Sequence, residues 1–183
     1  MSETSSPLPG VEISVRSGRG FLNLRLNPRR GQALEAAERI LGQPVPPAAN
    51  TFTAGEHEIY WLGPDEWLIA TAAERVLSLG SELAEGLAGF HSAVNDVSGG
   101  HVELLVSGVD ARTVLTKGCT LDLHPREFAP GQCAQTGLGR AAVLLAAGDP
   151  SIYTIVVRRS VSDYLCSWLA NAARPHGARF PAR

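Results

Sequence analysis

Three leucines, Leu22, Leu24 and Leu26, alternate with Asn23 and Arg25 in "GFLNLRLNPRRG", and a period of two predicts a strand with one buried face. Eighty residues on, "GHVELLVSGVDA" repeats the alternation with Val102, Leu104 and Val106, and at the same offset Asn27 falls on Ser107. Both are helix-capping types. Asn27 followed by Pro28 predicts the start of a helix carrying Leu34, Ala37, Ile40 and Leu41, and Ser107 with Asp110 predicts a shorter one carrying Val114 and Leu115. Further along each half, "EIYWLGPDEWLIAT" and "RAAVLLAAGDPSIYTIVV" predict hairpins that turn at Gly63-Pro64-Asp65 and Gly148-Asp149-Pro150. Each hairpin leads into a helix with a capping-box start. Thr71 with Glu74 opens one that buries Val76, Leu79, Leu83 and Leu87; Ser160 with Asp163 opens one that buries Val161, Tyr164, Leu165, Trp168, Leu169 and Ala172. Gly80 and Gly86 cost the first of these about 1 kcal/mol each relative to Ala, so tertiary packing has to hold it.

The expected fold class is α+β: a duplicated strand–helix–strand–strand–helix unit with antiparallel sheets and helices on one face, the two units joined by a strand in "FHSAVNDVSGG". The expected boundaries are a flexible Ser/Pro-rich tail at 1–10, a single domain at 11–173 made of similar halves (about 11–90 and 91–173), and a basic Pro/Arg-rich tail at 174–183.

Composition narrows the partners. A chain of 183 residues supports a real apolar core, and 16 Lys and Arg against 18 Asp and Glu leave a net charge of −2, with no basic field for nucleic acid or an anionic membrane. "MSETSSPLPG" lacks the basic and apolar regions of a signal peptide, and the apolar run Ala141 to Ala147 is too short to span a bilayer, so a cytoplasmic location is expected. Cys119, Cys133 and Cys166 are an odd count and are expected as free thiols.

The densest chemistry lies in "TKGCTLDLHPREFAPGQCAQT", residues 116–136. Cys119, His124 and Cys133 follow a C-x4-H-x8-C spacing that matches no usual zinc arrangement, and a Cys119 nucleophile would need Lys117 or His124 held against it. Pro125, Pro130 and Gly131 favour an extended connection pinned by Phe128. In "NDVSGG", Asn95 to Gly100, the Gly-Gly pair suits either a tight turn or the approach of an anion or flat ligand. Tyr60, Trp61 and Trp67 could stack a pteridine or purine ring, though such residues more often belong to a core or a subunit contact. In "VVRRS", Arg158, Arg159 and Ser160 stand before a helix N-terminus, where the macrodipole disfavours cations. Either the arginines point into water or they pair with a carboxylate or phosphate from outside the chain; these three residues are the candidate partner or anion contact. A P-loop, a dinucleotide-binding glycine fingerprint, a His-Glu-x-x-His pair and a nucleophile elbow are all absent from the sequence.

From about Asn95 to His176 the chain resembles the gamma subunit of heterotetrameric sarcosine oxidase, through "DVSGGHVELLVSG", "LTKGCTLDLHPREFAPGQCAQT" and "VVRRSVSDYLCSWL". That family is similar to the folate-binding half of aminomethyltransferase, where an Asp-Val-Ser strand and a Gly-x-x-(A/S)-R helix start recur. One departure matters. The hairpin matching "TGLGRAAVLL" carries an acidic pair in the aminomethyltransferase, and this chain has Arg140, Ala141 and Ala142 there. Methyl side chains cannot orient an amine or stabilise an iminium charge, so the resemblance implies a copy without transfer activity and without catalytic, cofactor-binding or metal-ligating residues of its own.

What the resemblance implies is a non-catalytic gamma subunit in a complex with alpha, beta and delta subunits, packed mainly on alpha and supporting its folate-binding part. The complex demethylates sarcosine oxidatively to glycine, producing hydrogen peroxide and 5,10-methylenetetrahydrofolate, with FAD, FMN, NAD, tetrahydrofolate and zinc held by the other subunits. The alternatives are a stand-alone folate-binding protein related to aminomethyltransferase and an electrostatic adaptor that uses Arg174, Arg179 and Arg183.

Overall fold

Every pairing between strands is antiparallel in the computed structural model, which describes residues 10–29 and 31–180. In chain order the elements are β1 (Glu12–Val15), β2 (Arg19–Leu26), α1 (Gly31–Leu41), β3 (Phe52–Ala54), β4 (Glu58–Gly63), β5 (Glu66–Ala72), α2 (Val76–Gly86) and β6 (Ser92–Asp96), then β7 (His101–Ser107), α3 (Ala111–Thr116), β8 (Cys133–Leu138), β9 (Ala141–Asp149), β10 (Ile152–Arg158) and α4 (Arg159–Ala173). They form a sheet ordered β6-β2-β5-β4-β3 and another ordered β1-β7-β10-β9-β8. The strand order of one sheet thus repeats that of the other. The first strand of each half, however, lies in the opposite sheet: β1 pairs with β7, and β6 pairs with β2. The expected halves at 11–90 and 91–173 therefore exchange an edge strand, which alternation within a strand cannot reveal.

The sheets stack face to face with helices outside, because their central strands bury both faces. Leu22, Leu24 and Leu26 of β2 meet Leu41 of α1 and Leu79 and Leu83 of α2 in one core; Leu104 and Val106 of β7 meet Val114 of α3 and Leu165 and Leu169 of α4 in another. Between the sheets a third core joins Phe21, Tyr60, Leu68 and Ala70 to Cys133, Leu144, Ala146 and Val156. The unbroken apolar run of β9 follows from this, since Val143 and Leu145 face the helices while Leu144 faces the other sheet. Gly86 lets α1 approach α2: a Cβ there would stand 2.4 Å from Ile40 Cδ1.

Several expected helix starts are displaced. Asn27 Oδ1 accepts a hydrogen bond from the Arg29 N–H, a local turn, and α1 begins only at Gly31. Thr71 stays in β5, where its Oγ1 bonds the His57 ring, and α2 is reached through a 3-10 turn at Ala73–Arg75 that has no side-chain cap. Ser160 lies inside α4, one residue past its start. Tyr164, expected inward, is half-exposed, and its hydroxyl accepts a hydrogen bond from the Arg140 N–H. Residues 133–138 form a strand, not the end of a connection.

The N-terminal tail at 1–9 lies outside the described residues, as does Arg183. Gly10 is docked, its N–H donating to the His176 carbonyl at 3.1 Å. The segment after Ala173 is also docked as far as it is described: Arg179 exchanges backbone hydrogen bonds with Val11 and Ile13 and covers the outer edge of β1. Lys117 Nζ donates to the Ala172 carbonyl at 2.6 Å and secures the end of α4.

One end of the inter-sheet space is closed by charge. Glu103 of β7, with no exposed side-chain surface, accepts from Arg16 at 2.9 Å and from Arg19 at 2.7 Å, and both arginines also pair with Glu58 of β4. Burial opposes the charge on Arg19, but the two carboxylates outweigh it and the guanidinium pKa is raised. Removing one partner strands the others, so Glu103→Gln is expected to destabilise the chain by about 3–5 kcal/mol, read from the urea midpoint. His57 is buried (1 % exposed), with Nδ1 2.9 Å from Thr71 Oγ1, and burial lowers its pKa below the usual 6.5. The unfolded chain therefore binds a proton below about pH 6.5 that the folded chain resists, and stability falls as pH drops from there toward the folded pKa. In denaturant melts between about pH 7 and 5.5, His57→Asn is expected to flatten this slope.

Candidate functional site

At the end opposite the charged quartet the inter-sheet space is open. The groove there has a volume of about 900 Å³, within the range of small-ligand sites. Its floor is Leu68 of β5, Leu144 of β9 and Val156 of β10, and polar side chains gather above it: Asn23, Glu66, His101, Gln135, Arg140 and Arg158. Strand register places them. Asn23 and His101 flank the centre, where the Phe21 and His101 rings meet at 5.7 Å, and His101 Nδ1–H donates to the Val97 carbonyl at 3.0 Å. Arg140 is set by the β8–β9 turn, where Gly139 takes a left-handed φ of +59° and donates its N–H to the Gly118 carbonyl.

The electrostatics are uneven. Among the described residues Glu66 is the only carboxylate lining the groove; it accepts from Asn23 Nδ2 at 2.9 Å and pairs with Arg25 at 3.3 Å. Among the described residues neither the Arg140 nor the Arg158 guanidinium has a hydrogen-bond or ion-pair partner. Arg158 and Arg159 point to different places. Arg158 joins the groove, whereas Arg159 donates to the Gly99 carbonyl at 2.8 Å and the His101 carbonyl at 3.3 Å, so its charge is spent on backbone dipoles. Ser160 is exposed and is not part of the groove lining.

The remaining sequence candidates disperse. Cys133 is buried, donates to the Thr51 carbonyl at 3.2 Å, and has its thiol pKa pushed up to about 12 by burial, which keeps it protonated and unsuited to act as a nucleophile. Cys119 lies 4.0 Å from Thr136 Oγ1, and His124 Nδ1 accepts from the Arg126 N–H. No group of three or more His, Cys, Asp or Glu among the described residues could hold a metal ion. Asp96 accepts from the Ser98 hydroxyl at 2.6 Å and its N–H at 2.9 Å, which lowers the Asp96 pKa, while Ser98 Oγ accepts from the Phe21 N–H. The Asp-Val-Ser stretch thus pins the end of β6 to β2, and its Gly-Gly pair makes a turn. Tyr60 stacks on Phe52 at 5.4 Å, and Trp67 is buried with Nε1 donating to the Pro46 carbonyl, so both are core residues.

Asn23, Glu66 and His101 are groove residues that sequence patterning misses, as are all four charges of the quartet. The available signal was a charge inside an apolar strand, Glu103 between Val102 and Leu104, but a strand with a wet outer face carries the same pattern. No helix among the described residues is long and apolar enough to cross a membrane.

Comparison with known proteins agrees with this architecture. The profile of the sarcosine oxidase, gamma subunit family matches residues 30–175. The sarcosine oxidase subunit gamma of Corynebacterium sp. (strain U-96) is 34 % identical over 152 residues, covering 82 % of this chain and 73 % of that one. The sarcosine oxidase subunit gamma of an Arthrobacter species is 34 % identical over 143 residues, covering 78 % and 69 %. Among solved structures, a chain of the heterotetrameric sarcosine oxidase from Corynebacterium sp. U-96 superposes with a TM-score of 0.85 at 29 % identity, covering 94 % of this chain and 88 % of that one. The glycine cleavage system aminomethyltransferase T from Bartonella henselae superposes with a TM-score of 0.67 at 14 % identity over 94 % of this chain and 48 % of its own, a likeness of fold. With the profile spanning most of the domain and two relatives at this identity over more than two thirds of their length, the chain belongs to the sarcosine oxidase gamma subunit family.

Proposed function

We propose that this chain is the gamma subunit of a heterotetrameric sarcosine oxidase and contributes a folded surface to the assembly, not a reaction centre. The observation that carries the reading is the side-chain content of the groove. The transfer chemistry that the resemblance to aminomethyltransferase implies calls for a carboxyl within reach of substrate and free to exchange its proton. Glu66 is committed to Asn23 and Arg25, and Ala141 and Ala142 occupy the hairpin where the resemblance to aminomethyltransferase calls for acids. The likeness to gamma subunits and to a heterotetramer supports partners for this chain. In this reading alpha, beta and delta subunits hold FAD, FMN, NAD, tetrahydrofolate and zinc, and this chain packs against the folate-binding part of alpha while the complex demethylates sarcosine.

A second reading, a stand-alone folate-binding protein, draws on the aminomethyltransferase fold. Purification of the tagged chain from its source separates the two. Under the assembly reading it is expected to elute with three other polypeptides and with sarcosine-dependent peroxide production, and to carry neither flavin absorbance nor turnover once dissociated from them. Elution alone, or sarcosine oxidation by the isolated chain, would overturn it.

A further inference from the structure

The two ends of the inter-sheet space occupy corresponding positions and are filled in opposite ways. The offset that carries Leu22 onto Val102 also carries Phe21 onto His101 and Asn23 onto Glu103. Across the first sheet Phe21 pairs with Ala70, and Ala70 with Glu58. Across the second, His101 pairs with Arg158, and the register that sets Val157 opposite Val143 brings Ala142 beside Arg158. Ala70 therefore corresponds to Arg158, and Glu58 to Ala142. At the closed end two carboxylates and two guanidiniums neutralise one another. At the open end Arg140 and Arg158 line the groove, a methyl group stands in the place of Glu58, and Glu66 is already engaged. The position of Arg158 just before α4 adds to the imbalance, because a helix N-terminus favours an anion.

The geometry points to a carboxylate supplied in trans: an Asp or Glu side chain of a partner subunit enters the groove and pairs with Arg158 and Arg140. This rests on the assembly reading above. A guanidinium presents paired N–H donors to a carboxylate, and covering the Leu68, Leu144 and Val156 floor would exclude water and strengthen the pair. Arg is also enriched at interfaces, where rigid donors are read by a complementary charge.

The test is titration of the full chain onto the complex from which it has been removed. Arg158→Glu and Arg140→Glu are each expected to weaken association by about tenfold or more, and Arg158→Lys to retain part of it. Ala142→Glu places a carboxylate within the chain next to Arg158 and is expected to weaken association comparably by occupying the guanidinium. Arg126→Glu, on the exposed connection before β8, is expected to bind like the parent chain. All these positions are exposed, and unchanged thermal melts would show that the fold is intact. If the parent chain assembles while Arg158→Glu and Ala142→Glu assemble equally well, the groove assignment fails and the assembly reading survives; if the parent chain does not assemble, both fail. Saturable binding of 2-naphthoate by the free chain that Arg158→Glu abolishes would assign the groove to a small organic acid and overturn the partner assignment.

Discussion

A carboxylate with no exposed surface sets the relation between the two sheets. Glu103 belongs to β7, yet its partners come from the other side of the space, Arg16 from the link between β1 and β2 and Arg19 from the first position of β2, and both reach on to Glu58 of β4. A buried ion pair is rarely a net gain in stability over well-packed apolar side chains, because desolvation offsets the attraction. What it does is penalise alternatives: any sliding of one sheet over the other would strand a charge in an apolar setting. The third core shares that task with the quartet. Small residues, Ala70, Cys133, Ala146 and Val156, allow a close approach between the sheets, and Phe21, Tyr60, Leu68 and Leu144 fill the space beside them, so packing and the quartet fix the lateral position together.

The exchanged edge strands act in the same direction. β1 belongs to the first half by sequence and to the second sheet by pairing, and β6 is its counterpart. Neither half can leave the other without breaking a ladder, so the domain should unfold as one unit. Arg16 sits at the crossing after β1 and the Asp96–Ser98 pair at the crossing after β6, which places a polar clamp at each exchange. The clamps differ in kind. One is ionic and sealed; the other is a local turn whose exposed carboxylate serves only its own loop.

How far the sequence could be read depended on whether a strand has one buried face or two. β2 and β7 show clean alternation because their second faces carry Arg19, Asn23, His101 and Glu103, so their burial is visible from spacing alone. β8 escapes notice: Cys133–Leu138 contains Gln135, Thr136 and Gly137, has little β propensity, and is held by neighbours such as Leu144 that are distant in sequence. The helices were visible as apolar stripes but not at their starts. Asn27, Thr71 and Ser160 are good caps in isolation, and each is claimed by a turn, a buried histidine or the helix body. The groove stayed hidden for a further reason. Arg158 and the missing acid at Ala142 were each visible, but only the cross-strand register shows that they are neighbours.

A groove opposite a rigid charged seal is a different object from a groove in a flexible domain. Phe21 and His101 meet at the centre of the inter-sheet space, and the strand pairs that place Glu103 and Glu58 at one end place Arg158 at the other. The guanidinium is therefore positioned by a ladder whose lateral freedom the quartet has already removed. Ordering a long side chain against a partner costs less when its backbone is fixed in advance, and the surplus appears as specificity for a charge at one place. An unpaired arginine on a mobile loop would attract any anion nearby. Here the apolar floor and the fixed register favour a carboxylate borne by a surface that also fits the groove, the kind of discrimination that suits a subunit contributing shape and charge to a larger enzyme.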